Sequence, residues 1–133
     1  MSRAVLDTNV LVSAVIASGV PSDLVAVSRR GAFANVSSPY IIEEFRRVMC
    51  AKLGLDPAEV DRVALAIARA AEMVPVFEAS RLWCEDAGDN PVVETAVRGE
   101  ASHLVTGDRR LLMARVESLD IVTPAEFAEL LRG

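Results

Sequence analysis

Cysteine, basic charge and long apolar runs are all in short supply in this chain. Its two cysteines, Cys50 and Cys84, form no CxxC pair and lie in no Cys/His ligand spacing. That excludes a disulfide framework and a zinc site, and it suits a reducing compartment. Basic residues number 14 against 19 acidic ones, for a formal net charge of −5, which argues against a protein that coats polyanions by bulk charge. The helix expected from Asn9 to Ser18 is too short to cross a bilayer. Met1-Ser2-Arg3 runs straight into Ala4-Val5-Leu6-Asp7, without the charged and long apolar regions of a secretory signal. The expectation is a soluble, cytoplasmic protein with no membrane association. Repeats, low-complexity tracts and linker-like stretches are missing too, so residues 1–133 are expected to form one domain. Apolar residues, in contrast, are plentiful. Hydrophobic residues make up 52% of the chain and charged ones 25%, enough to pack a core and to exclude a disordered chain.

The apolar residues fall into short runs alternating with longer amphipathic ones. Arg3–Asp7, Ala34–Ser37, Met73–Phe77, His103–Thr106 and Asp120–Val122 have strand length, are rich in Val, Ile and Leu, and are bounded by turn residues. Helix starts are signalled by Ser22 before Asp23-Leu24, by Ser38 with Pro39, by Asp56 with Pro57 and Glu59, and by Thr123 with Pro124 and Glu126. Gly31 and Gly99 read as helix stops. This alternation predicts an α/β fold: a three-layer α/β/α sandwich around a central, mostly parallel sheet of about five strands.

In such a sheet, ligands sit beyond the carboxyl ends of the strands, where the strand order reverses. Asp7 closes the first strand and Asp108 follows the fourth, each where a strand hands over to a helix. Either aspartate alone reads first as a helix N-cap. Asp89, at the start of the helical pattern Asn90–Val97, brings a third carboxylate to a helix N-terminus. A fourth comes from the helix after Ser38, whose apolar face holds Ile41, Ile42, Phe45, Val48 and Met49. Glu44 falls on the rim of that face, where an acid is costly unless paired or metal-bound. Glu43 points nearly opposite, among Arg46 and Arg47. A salt bridge to an arginine is the structural alternative for Glu44.

Four segments together resemble the signature blocks of PIN-domain ribonucleases: Val5-Leu6-Asp7-Thr8-Asn9-Val10-Leu11-Val12, Glu44 in its helix, Asp86-Ala87-Gly88-Asp89-Asn90, and Leu104-Val105-Thr106-Gly107-Asp108-Arg109-Arg110-Leu111-Leu112. The resemblance covers roughly residues 4 to 127 and is closest to the VapC-like toxins of type II toxin–antitoxin pairs. It implies that Asp7, Glu44, Asp89 and Asp108 are the catalytic, metal-binding quartet. Asn9 matches a polar residue beside the first acid, Thr106 a hydroxyl support of the last, and Asp86 an outer acid of this branch. Arg110 stands where the family often has an aspartate, and His103 where it often has an acidic or small residue.

Hard carboxylate oxygens without imidazole or thiolate suit Mg²⁺ or Mn²⁺, as one or two ions, rather than zinc. Such an ion activates a water for attack on an RNA phosphodiester. Arg29-Arg30, Arg46-Arg47 and especially Arg109 and Arg110 are candidate phosphate contacts, with solvated helix faces as the plainer reading. Trp83 reads as a lid over core or as a surface for a base, and His103 as a strand residue. Residues 56 to 74 carry more apolar surface than one buried stripe needs. The resemblance turns this surplus toward a homodimer and toward an antitoxin segment covering the active site. A haloacid-dehalogenase-type phosphatase would want an acid where Asn9 stands. A PIN-like RNA- or protein-binding module without cleavage, and an RNA-processing nuclease unrelated to toxicity, stay open.

Overall fold

The structure, a computed structural model, describes residues 1–79, 83 and 90–133. The chain runs β1 (Arg3–Leu6), α1 (Thr8–Ile16), α2 (Val20–Arg29), β2 (Ala34–Ser37) and α3 (Pro39–Arg47), which continues into a π-helical turn at Val48–Lys52. It goes on through α4 (Pro57–Ala70), β3 (Glu72–Met73), α5 (Asn90–Arg98), β4 (His103–Val105), α6 (Arg109–Leu112), β5 (Asp120–Val122) and α7 (Pro124–Arg132).

The five strands form one sheet in the order β3-β2-β1-β4-β5, and every pair is parallel. Connections run outward from β1 to β2 to β3, then return to β4 on the other side of β1 and continue to β5. Right-handed crossovers in opposite directions put helices on opposite faces, which gives the α/β/α sandwich that the alternation predicts, with a sheet that is wholly parallel. The order reverses between β1 and β4, with Ala4 opposite His103 and Leu6 opposite Val105. Ala4, Val5, Leu6, Leu104 and Val105 are fully buried, as parallel strands covered on both faces must be. Phe33, Phe45 and Phe127 fill the largest gaps around them.

Two expected boundaries move by more than two residues. The third strand, expected over Met73–Phe77, pairs only at Glu72–Met73, because Pro75 has no N–H to continue a ladder. Val74 still donates to Ser37 O at 2.8 Å, and Val76 then turns back onto Val74 O at 2.7 Å. α2 begins at Val20 rather than after Ser22: Pro21 occupies its first turn and Gly19, at φ 140°, is the cap residue, so backbone geometry replaces a side-chain cap. Elsewhere the signals hold. Ser38 accepts from Ile41 N, and Thr123 with Glu126 forms a reciprocal capping box. Asp56 caps α4 without a side-chain hydrogen bond.

Gly99 ends α5 for a steric reason rather than a conformational one. A Cβ there would stand 2.6 Å from Val36 Cγ1 and 2.9 Å from the backbone oxygen of Thr95; the left-handed conformation is taken instead by Glu100, at φ 55°. The close approach of α5 to β2 therefore depends on a missing side chain.

Candidate active site

β1 and β4 deliver two aspartates to the crevice where the strand order reverses. Asp7 N extends the ladder by donating to Val105 O at 2.9 Å, and its side chain then caps α1, with Oδ1 accepting from Thr8 N at 2.8 Å. Its other oxygen accepts from the Thr106 hydroxyl at 2.7 Å and from Asn9 Nδ2 at 3.0 Å. Asp108 caps α6 through Arg110 N at 2.8 Å, and its own N–H donates to the Thr106 hydroxyl at 3.0 Å. Asn9 Oδ1 accepts from Gly107 N at 3.1 Å. Thr106 and Asn9 thus tie both strand-to-helix turns together, and capping and convergence turn out to be compatible roles for the two aspartates.

Glu44 arrives from α3 on the rim of the apolar face, its side chain 24% exposed, whereas Glu43 is 71% exposed and pairs with Arg46 at 2.9 Å. The Thr8 hydroxyl donates to Glu44 Oε1, and Tyr40 OH approaches Oε2 at 3.4 Å. Arg47 is 3.9 Å from the same carboxylate, so the arginine pairing expected as the alternative is present in a long form. Asp86 and Asp89 lie outside the described residues. Arg109 and Arg110 are exposed at the start of α6. Arg46 is engaged by Glu43 and Asp61. His103 is a half-buried strand residue in contact with Phe127 and Ser102.

Three residues of this region escape a reading by periodicity and strand ends. Thr8 links Asp7 to Glu44, its N–H donating to Asp7 and its hydroxyl to Glu44, and Tyr40 reaches the same Glu44 carboxylate. Glu94, only 1% exposed on α5, accepts from Trp83 Nε1 at 3.0 Å with Arg98 at 3.9 Å. Trp83 itself packs against the core. Every residue of α5 from Asn90 to Ala96 is buried, including Asn90 and Glu94, whose i, i+4 spacing with Arg98 reads in the sequence as a solvated stripe.

The Asp7 carboxyl is held above its ordinary range, chiefly because burial penalises its charge; the Thr106 and Thr8 hydrogen bonds pull the other way, and the Glu44 and Asp108 charges push it further up. A carboxyl whose folded pKa exceeds its unfolded one binds protons more tightly in the fold, so the metal-free protein gains stability from this group as pH falls toward 4 and loses it as pH rises to neutrality. In EDTA, the melting temperature of Asp7→Asn relative to wild type is therefore expected to be lower near pH 4 than at neutral pH. A difference that does not vary with pH would contradict the burial of a charged Asp7.

Among the described residues, no three of His, Cys, Asp and Glu come close enough to enclose a metal ion. The donors at hand are all hard oxygens, and the coupling of Asp7 to Glu44 and Asp108 is a like-charge repulsion that a divalent cation relieves. The donor chemistry fits Mg²⁺ or Mn²⁺. A PIN domain family model matches residues 3–110, a span that holds Asp7, Glu44, Asp89 and Asp108. No curated protein matches the chain. PIN domains have a nuclease-type fold, and PIN nucleases generally use divalent metals. With strand order, parallel sheet and acidic crevice on the same residues as that match, the chain belongs to the PIN domain family.

Proposed function

We propose that this protein is a metal-dependent endoribonuclease, the VapC-like toxin of a type II toxin–antitoxin pair acting in the cytoplasm. The observation that supports it best is the linkage of Asp7 and Asp108 through Thr106 and Asn9 across the switch point, with Glu44 joined to it by Thr8. Asp7, Glu44 and Asp108 would hold the ion together with Asp89. When bound, the ion supplies a water of lowered pKa and a charge to set against the phosphoryl oxygens. The protein's own part is orientation: Thr106 and Asn9 fix the Asp7 carboxylate, Thr8 fixes Glu44, and α6 fixes Asp108 by its cap. Arg109 and Arg110, exposed next to Asp108, offer cations to the RNA backbone.

The partners follow the same reading. Exposed apolar side chains on α1, α2 and α4, such as Ile16 at 55% and Leu65 at 50%, are consistent with a homodimer and with an antitoxin segment that covers the acidic crevice. A second reading, a PIN-like module that binds RNA or protein without cutting, is favoured by one feature: Asp7 is already committed to three protein donors. Incubation of the purified protein with a mixed RNA pool in Mg²⁺, Mn²⁺ or EDTA, read beside its melting curve, separates the two. Bound metal stabilises the fold by about 2.7 kcal/mol at a hundred times its Kd, so melting is expected to rise by about 10 °C, together with metal-dependent cutting. Neither a rise nor cutting would leave the binding module.

A further inference from the structure

Beside Glu44 the surface opens into a groove of about 330 Å³ lined by Pro39, Tyr40, Glu43, Glu44, Arg47 and Phe77. Phe77 is 70% exposed, whereas the other three phenylalanines, Phe33, Phe45 and Phe127, are fully buried. Its position is nevertheless fixed. Val76 is 1% exposed in the core, and its carbonyl accepts from Tyr40 N at 3.0 Å, which anchors the segment to the first turn of α3. The Phe77 side chain is thus held open at the groove rather than recruited to the core. Tyr40 lines the same groove, and its hydroxyl lies 3.4 Å from Glu44 Oε2, so aromatic surface continues to a carboxylate proposed above to hold the ion. The acids in the groove are matched by cations. Glu43 is paired with Arg46, and Arg47, 57% exposed, stands 3.9 Å from Glu44.

We infer that this groove stacks one unpaired nucleobase of the RNA strand against Phe77 and Tyr40, beside the phosphate that would meet the ion held in part by Glu44, with Arg47 toward the strand's backbone; this rests on the nuclease reading above. A base inside a duplex has both faces covered by its stacked neighbours, so only an unpaired base offers a free face to Phe77 and Tyr40. Stacking on aromatic faces is tolerant of base identity because every base has a π-face, so the groove selects single-stranded RNA over duplex rather than one base over another. A protein segment is the competing occupant. The opening of the groove onto Glu44 favours the strand, because a nucleotide flanking a phosphate at the ion that Glu44 would help to hold has this surface as its neighbour.

The test is the binding of fluorescent single-stranded RNA in Mg²⁺, read by anisotropy, in an Asp108→Asn background that leaves the RNA intact. Phe77→Ala is expected to weaken binding by roughly five- to 150-fold, the range seen when an aromatic stacking partner is removed. Phe77→Trp is expected to retain it, and Phe77→Leu, apolar but not planar, to fall with alanine. An oligomer of abasic ribose phosphates is expected to bind equally to the parent and to Phe77→Ala, and Leu130→Ala on α7 to bind like the parent. Equal binding by the parent and Phe77→Ala, an equal loss on the abasic oligomer, or no RNA binding at all would overturn the inference. So would intact RNA binding together with lost self-association in Phe77→Ala, which would give the groove to a protein. Cleavage by the wild-type protein is scored separately: cutting that is indifferent to Phe77 removes the stacking groove alone, and an absence of cutting removes the nuclease.

Discussion

Asp108→Asn is expected to lower metal-dependent RNA cleavage by at least about a hundredfold while leaving the metal-free fold at least as stable as wild type. The loss follows from taking one anionic oxygen out of the set that would hold the cation, where interactions made with developing charge carry the largest share of the barrier reduction. The retained stability has a separate cause. Asp108 caps α6 by accepting from Arg110 N, and asparagine caps a helix as well as aspartate does. Its charge also raises the burden on the buried Asp7 carboxyl, so removing it relieves a repulsion. Melting in EDTA checks the second half. A fall of several degrees there would make Asp108 a structural residue first, and any loss of cleavage would then be indirect.

Phe45→Ala is expected to do the reverse, lowering stability steeply. Phe45 is fully buried on α3, one residue after Glu44. Emptying a phenylalanine site in a packed core costs about 3–5 kcal/mol, which for a chain of this length corresponds to a melting temperature roughly 10–20 °C lower. α3 packs on α1, α4 and α5, and its register sets where Glu44 meets the Thr8 hydroxyl. Cleavage measured well below the new melting point is therefore expected to fall as well. Thermal denaturation at neutral pH with and without Mg²⁺ reads the effect, and a change of under 1 kcal/mol would mean that α3 is not seated as described.

The fold was largely legible because its signals are local. Apolar runs of strand length, caps at Ser38 and Thr123, and prolines in first turns each point to one element. The errors lie where a local signal competes with another: the apolar run after Met73 contains Pro75, which ends pairing, and the Ser22 cap signal sits inside a helix already started by Pro21. At the site, Asp7 and Asp108 were readable from strand ends and Glu44 from helical phase. The bonds that join them were not. Thr8 to Glu44 spans 36 residues and Thr106 to Asp7 spans 99, and only the tertiary fold brings such pairs together. Glu94 stayed hidden because it shares a helical stripe with Asn90 and Arg98 at i, i+4 and i+8, a pattern that reads as a solvated face although the fold buries it. The readings for Asp86 and Asp89 concern residues outside those described.

The most direct measurement is RNA cleavage by wild type, Asp7→Asn and Asp108→Asn, prepared identically and assayed side by side in Mg²⁺, Mn²⁺ and EDTA. An acidic crevice that works by holding a divalent cation predicts cutting by wild type in metal, none in EDTA, and loss in both variants while their circular dichroism spectra stay native. Cutting that persists in both variants, or that is indifferent to EDTA, would contradict it.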